Sequence, residues 1–409
     1  MVILVATNLY TMEKLTPEQY YAKARAMLQE VILEFWINHA VDREQGGFYG
    51  RITVDNTPVP QAAKGAVLNT RILWTFSSAF RVLGMPVYRA MADRAFDYLI
   101  RHFWDARHGG VHWMLDHMGQ PTDDTKYVYA QSFAIYSLAE YYLATQNHLA
   151  LAHATHLFSL LEKYAHDRQF GGYFDWFTVN WVKKEGSMGG KGAMDVKSMN
   201  THLHVMECFT NLYRAWPDTL LKERLGDMLQ IFMDHIIRPT TWHMAVYSNQ
   251  KWERTSQIDS YGHDIEASWL LVEAAEAYGD PAILARARQI ALEMAKKTMQ
   301  VAHDPADWGM YYEKEGNQLH SGKEWWPQAE AMVGYLNAFQ LANNTQFYEA
   351  SVRSFGFVSQ YLSAGKGGEW YRSYDAATQK ISSGDKGNAW KGPYHNGRAC
   401  LEIIHRLKP

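Results

Sequence analysis

The chain has 409 residues, 47% hydrophobic and 20% charged, with a formal net charge of −3. That balance belongs to a folded globular protein with ample core, and the absence of a basic stripe argues against binding nucleic acid through its phosphates. No apolar run approaches the roughly 20 residues needed to span a bilayer, and Val2 to Ala6 lacks the basic lead and cleavage site of a signal peptide.

Length alone suggests two or three domains, but a closed toroid can hold such a length in one. The 2 cysteines, Cys208 and Cys400, sit in apolar helical contexts. They read as reduced, buried thiols of a cytoplasmic protein. Aromatic residues reach 14%, with 15 Trp and 25 Tyr. Packing between helices is the plainer account of that excess; a cleft that stacks on sugar rings is the sharper one.

In chain order, the first helical pattern is Pro17 to Ala40, with Thr16 as N-cap and Glu18 close behind. It is followed by Val67 to Leu83, Val87 to Trp104, Tyr129 to Ala144 and His148 to Tyr164. Then come Met199 to Trp216, Leu220 to Ile237, Ile265 to Tyr278 and Pro281 to Met299. Ala329 to Ala342, Thr345 to Leu362 and Gly397 to Leu407 complete about twelve helices in six pairs. Between them a Gly-aromatic signature recurs: G-G-F-Y-G-R from Gly46, G-G-V-H-W-M from Gly109, G-G-Y-F-D-W from Gly171, W-G-M-Y-Y-E from Trp308 and G-G-E-W-Y-R from Gly367. A degenerate copy starts at His243. These read as short β-hairpins between helices. Helix pairs that cannot bury their faces alone stack side by side. Six of them predict an all-α (α/α)6 barrel, with an open solenoid as the alternative. No Pro-, Gly- or Ser-rich linker divides the chain, so residues 15–409 are expected to form one catalytic domain and residues 1–14 a disordered extension.

The helices that follow a hairpin carry polar residues near their N-termini: Arg71, Tyr129, Asn200 with His204, His263 with Glu266, Trp326 with Glu330, and His395 with Arg398. In a toroid these ends share one mouth, where helix N-termini favour a developing anion. His263 and Glu266 share a helical face, as do Asn200 and His204. Each pair also has a plainer reading, an ion pair or an interhelical hydrogen bond. His395, in W-K-G-P-Y-H-N-G-R, is expected in a first turn opened by Pro393, where the helix dipole keeps it neutral. Trp325, Trp326 and Trp390 are candidates for stacking on a sugar or for the core. His202, His204, His263, Glu266 and His395 could group around a metal, but no H-E-x-x-H or paired-Cys motif supports one. No G-x-S-x-G elbow and no phosphate loop is present.

Four segments carry a resemblance: K-S-M-N-T-H-L-H-V-M-E from Lys197, S-Y-G-H-D-I-E-A-S-W from Ser260, E-W-W-P-Q-A-E from Glu324 and W-K-G-P-Y-H-N-G-R from Trp390. They resemble the N-acylglucosamine 2-epimerase superfamily and, more closely, its cellobiose 2-epimerases. The resemblance implies an (α/α)6 barrel without metal, nucleotide or other cofactor, acting on a disaccharide with a reducing-end aldose. It implies His263 and His395 as the catalytic histidines, Glu266 as their supporting carboxylate and Arg71 as the holder of substrate and enediolate. Tyr129, Asn200, His204 and Glu330 are expected to contact substrate, and Trp326 and Trp390 to bracket the sugars. The loop Trp181 to Lys191 departs from the pattern, so the disaccharide preference is less firmly implied than the chemistry. An aldose–ketose isomerase acting on mannose or a related monosaccharide is the nearest alternative. A glycoside hydrolase would need two carboxylates flanking a bond.

Overall fold

A computed structural model describes residues 14–192 and 194–408. The expected disordered extension therefore lies, apart from exposed Lys14, outside the described residues. The first helix is α1 (Pro17–Ala26) and α2 (Glu34–His39), joined by a π-helical stretch (Met27–Leu33). Thr16 caps it in a reciprocal box whose partner is Gln19, one position beyond the expected Glu18.

Eleven further helices follow among the described residues: α3 (Ala66–Leu83), α4 (Pro86–Tyr98), α5 (Val128–Thr145), α6 (His148–Leu160), α7 (Met199–Ala215), α8 (Thr219–Ile231), α9 (Tyr261–Tyr278), α10 (Pro281–Val301), α11 (Trp325–Ala342), α12 (Thr345–Phe357) and α13 (Tyr394–Arg406). Four outer helices, α4, α6, α8 and α12, end in a single π turn. The odd-numbered helices from α3 to α13 each pack on the next, and α13 closes on α3. The remaining helices lie outside them, so the fold is the (α/α)6 barrel that the six-fold pattern predicts. The inner helices are buried on nearly every face. Of the eighteen residues of α3, for example, fourteen are buried, and they include Asn69, Thr70, Arg71 and Thr75. A ring of helices clothed by a second ring has little surface left for water, and in α5, α9 and α11 amphipathic periodicity is accordingly weak.

Short antiparallel strands tie each helix pair at one end. The strand before α3 (β1, Lys64–Gly65) pairs with the one after α4 (β2, Met114–Leu115). In the same way β4 (Lys126–Tyr127) pairs with β5 (Trp176–Phe177), and β6 (Lys197–Ser198) with β7 (Tyr247–Ser248). Near the end of the chain β8 (Ile258–Ser260) pairs with β9 (Glu313–Glu315), and β11 (Lys323–Glu324) with β12 (Ser373–Asp375). Three hairpin strands, β3 (Pro121–Asp123), β10 (Gln318–His320) and β13 (Lys380–Ile381), extend these sheets. The Gly-aromatic signatures form the turns that enter these pairings. In all six repeats a one-residue bridge spans the turn: Val41–Phe48, Trp104–Val111, His166–Tyr173, Ile237–Met244, His303–Met310 and Ser363–Trp370. Gly47, Gly110 and Gly172 have positive φ, and a Cβ on any of them would meet a neighbouring side chain at under 3.0 Å.

An ion pair locks each repeat, with a buried lysine in every repeat but the fourth. Two residues before an inner helix a lysine reaches the aspartate at the end of the outer helix: Lys64–Asp42 at 2.7 Å, Lys126–Asp105 at 2.8 Å, Lys197–Asp167 at 2.9 Å and Lys323–Asp304 at 2.8 Å. In the fourth repeat the charges are exchanged, as Arg238–Asp259 at 2.5 Å. In the sixth, Lys391 lies 3.5 Å from Glu369. Removing one partner of such a pair leaves a buried charge uncompensated, so these locks fix where the N-termini of the inner helices stand.

Candidate active site

Three inner helices begin earlier than the apolar pattern indicates: α9 at Tyr261, α11 at Trp325 and α13 at Tyr394, against expected starts at Ile265, Ala329 and Gly397. In their first turns His263, Trp325, Trp326 and His395 line a cavity while Tyr261 and Tyr394 pack in the core, and this mixture does not follow the hydrophobic period. Gly262 and Pro327 also mask the helix. A Cβ on Gly262 would lie 2.5 Å from the Trp326 ring, and Pro327 sits where the backbone N–H has no helical partner. Pro393 is the N-cap of α13 rather than part of its first turn.

A cavity of about 410 Å³ opens at this end of the barrel. Arg71, Tyr129, Asn200, His204, His263, Glu266, Trp326, Trp390 and His395 all line it. Glu330 is the exception among the expected site residues. It is buried behind His395, where its carboxylate accepts from His395 Nδ1 at 2.6 Å, from Arg398 Nη2 at 2.7 Å and from Trp269 Nε1 at 3.1 Å. It therefore holds a histidine instead of touching substrate. His202, one of the residues weighed for a metal, is also away from the cavity. It is bonded to Ser198 O at 2.7 Å and accepts from Tyr173 N at 2.9 Å.

The two histidines share the Trp326 ring, whose centroid lies 4.6 Å from His263 and 5.6 Å from His395. Burial drives His263 down to about 3, assisted by His204. Burial, together with Arg71 and Arg398, pushes His395 well below its ordinary value. Both therefore rest neutral. In the same cavity Arg71 donates to Tyr129 OH at 2.9 Å and to Trp390 O at 2.5 Å. Four buried polar atoms of the lining have no partner among the described residues: Arg71 Nε, Asn200 Oδ1, Glu266 Oε2 and Trp325 Nε1. Buried polar groups are normally paired, so these atoms are where a polar ligand gains most.

Below the histidines lies a network that spacing along the chain does not announce. Arg398 is enclosed by Glu207, Glu266 and Glu330, and Tyr394 OH lies against both Arg398 and Glu207. Glu207 also holds His204 Nδ1 at 2.9 Å. The partial signals were local: His204 and Glu207 are three residues apart, and Tyr394 and Arg398 four. Three carboxylates around one guanidinium leave an excess of negative charge. Burial, then the neighbouring Glu330, raises Glu266 to about 7, and burial raises Glu330 too. In Glu207, Arg398 and His204 outweigh burial and lower it. Glu266, Glu330 and His395 bring ligand atoms within 4.8 Å of one another, but the Arg398 guanidinium bonds both carboxylates and stands where a cation would. Ser260, Tyr312, Glu324 and Arg372 were not foreseen as site residues, and Trp325 was foreseen only as a candidate for stacking or for the core. Ser260 Oγ lies 2.7 Å from His263 Nδ1, and the other four complete the cavity wall.

The profile of the N-acylglucosamine 2-epimerase (GlcNAc 2-epimerase) family matches residues 47–398. The chain belongs to this family. It is 40% identical over 376 residues to the cellobiose 2-epimerase of Bacteroides fragilis, covering 91% of this chain and 95% of that one. The cellobiose 2-epimerase of Dictyoglomus turgidum is 34% identical, with 93% and 97% covered. Among solved structures, cellobiose 2-epimerase from Bacillus thermoamylovorans B4167 is 36% identical and superposes with a TM-score of 0.91 over 95% of this chain and 100% of that one. A D-mannose isomerase at 20% identity and a TM-score of 0.78 shares the fold.

Proposed function

We propose that this isomerase is a cellobiose 2-epimerase, inverting C2 of the reducing-end sugar of β-1,4-linked disaccharides such as cellobiose and lactose. The observation that carries the reading is that His263 and His395 wall one cavity on a shared tryptophan, and that Arg71 and Tyr129 line the same cavity. The C2 hydrogen of an aldose becomes acidic once C1 is an open-chain carbonyl. The first step is therefore ring opening, with a proton delivered to the ring oxygen and removed from the anomeric hydroxyl. One histidine then takes the C2 proton, leaving a cis-enediolate with charge on O1, and the other returns a proton to the opposite face. The open-chain aldehyde itself acidifies C2, so the step calls for no cofactor.

The residues fit these roles. The Glu330 carboxylate fixes the proton of His395 on Nδ1, so its Nε2 lone pair is free to accept. His263 is partnered by a hydroxyl, which can donate or accept, and so can present Nε2 as acid or base. Arg71 and Tyr129 stabilise O1, a role that contributes roughly 3–4 kcal/mol per donor. Trp326 lies under the reducing sugar, and Trp390, 45% exposed at the rim, takes the second. Asn200 and His204 contribute polar contacts. Residues 15–409 act as one domain, and the free, buried thiols support a cytoplasmic setting.

A glycoside hydrolase is disfavoured because Glu266 and Glu330 are bound to a single guanidinium and only one of them reaches the cavity. NMR of cellobiose incubated in deuterated water tests the proposal. The wild type is expected to incorporate deuterium at C2 and form the C2 epimer, and His263→Ala and His395→Ala are each expected to lose roughly 10²–10⁴-fold in exchange. Exchange retained in either variant contradicts that histidine's role, and a ketose as main product points instead to an aldose–ketose isomerase.

A further inference from the structure

The proposed chemistry leaves one side of the cavity without a task. Glu324, Trp325 and Arg372 line it, yet none of them bonds to the histidines, to Arg71 or to the Arg398 network. Trp325 is 6% exposed, and its indole nitrogen is buried without a partner among the described residues. An indole N–H only donates, and a buried donor left unpaired is unfavourable. That position is therefore built to receive an oxygen. The ring is held in place, since its backbone N–H donates to Arg372 O at 2.9 Å and the Lys391 ammonium lies 5.4 Å from the ring.

Next to it, Glu324 pairs with Ser373 across β11–β12, and Arg372 immediately precedes that partner. Arg372 Nε and Glu324 Oε2 are 3.4 Å apart, a long contact that leaves donors and acceptors free. Burial raises the Glu324 carboxyl, opposed by Arg372. The carboxylate side chain is 22% exposed and the guanidinium 47%, so the pair lies at the rim. Trp326, the next residue along α11, lies against the two histidines. The wall thus starts beside the reacting carbon and extends outward, the direction a second sugar takes.

We infer that Glu324, Trp325 and Arg372 form a specificity wall that reads hydroxyls of the second, non-reducing sugar. This rests on the epimerase reading for where the first sugar sits. The chemistry matches: a sugar hydroxyl both donates and accepts, and the wall offers a carboxylate to accept, an indole N–H to donate, and a guanidinium fork suited to two adjacent hydroxyls. Trp390 supplies a face for stacking. Stacking tolerates many rings, whereas polar contacts of this kind reject a partner that lacks the matching hydroxyl.

The test uses Arg372→Ala, Glu324→Gln and Trp325→Phe, the last keeping a ring while removing the N–H. Rates of C2 deuterium exchange are measured for cellobiose and for glucose. Each variant is expected to lose kcat/KM for cellobiose at least tenfold more than for glucose, with the loss carried by KM. Equal loss on both sugars, or no loss on either, overturns the wall. Calorimetric titration of cellobiose and glucose into wild type and variants separates this from failure of the epimerase reading. If the wild type exchanges neither sugar, the epimerase reading falls; selective weakening of cellobiose binding in the variants then upholds the wall, and equal or absent weakening removes it.

Discussion

The surroundings of the two histidines differ in kind. His395, on α13, has Glu330 on its Nδ1 at 2.6 Å, Glu266 at 4.0 Å and Arg398 behind both. His263, on α9, has only the Ser260 hydroxyl at 2.7 Å and the Trp326 ring. One imidazole is oriented by a charged network assembled from four helices, the other by a neutral neighbour three residues away. A carboxylate fixes a tautomer and stabilises the imidazolium that forms after proton transfer. A hydroxyl does neither strongly but permits both tautomers. Two proton-transfer groups that both rest neutral are thus held to different degrees.

The comparison breaks most visibly at Arg398. Arg398→Ala removes the only cation among three buried carboxylates, and the expected cost is about 3–5 kcal/mol in unfolding free energy by chemical denaturation. Nothing on the His263 side should cost as much. Next is Glu330→Gln, which keeps the shape but removes the charge from His395. A roughly 100-fold fall in C2 exchange is expected, with little change in substrate affinity by calorimetry.

His303, away from the cavity, offers a reference for an imidazole lowered mainly by burial, with Arg353 adding to it and the Trp308 carbonyl opposing it. It stacks on Trp308 at 4.3 Å and is bonded to Tyr335 OH at 2.6 Å. Burial lowers it to about 4, against about 6.5 in the unfolded chain. Between those values the unfolded chain binds a proton that the native protein refuses. Its contribution is therefore whole above about pH 6.5 and declines as pH falls toward 4. From pH 7 to 5 the decline is about 2 kcal/mol, and in His303→Phe the stability–pH curve should be flatter by that amount. The smallest expected effect is Ser260→Ala. Loss of one neutral hydrogen bond, worth about 1 kcal/mol, should slow exchange by roughly tenfold or less, and Ser260→Thr should restore it. A loss as large as that of Glu330→Gln would erase the contrast between the two histidines.

Much of this site was legible from the chain because its parts are local. His263 with Glu266 and Asn200 with His204 repeat at helical spacing, and the Gly-aromatic turns mark each helix pair. Helix starts were less legible. In the turns Tyr261-Gly262-His263 and Trp325-Trp326-Pro327, cavity-lining His263, Trp325 and Trp326 are mixed with a core tyrosine, a glycine and a proline, which breaks the apolar rhythm that announces a helix. Glu330 was misplaced for a related reason: its position on α11 gives its height in the barrel, but not whether it points into the cavity or behind a neighbouring histidine.

The sequence by itself determined that there are six helix pairs and that a particular set of polar residues stands near the N-termini of one helix of each pair, because turn chemistry and helical period act over a few residues. Only the tertiary structure decided which charges meet. Glu207, Glu266, Glu330 and Arg398 come from four different helices, with up to 191 positions between partners. Their pairing depends on ring closure and on the rotation of each helix about its own axis, and both are set by packing against neighbours rather than by any spacing along the chain.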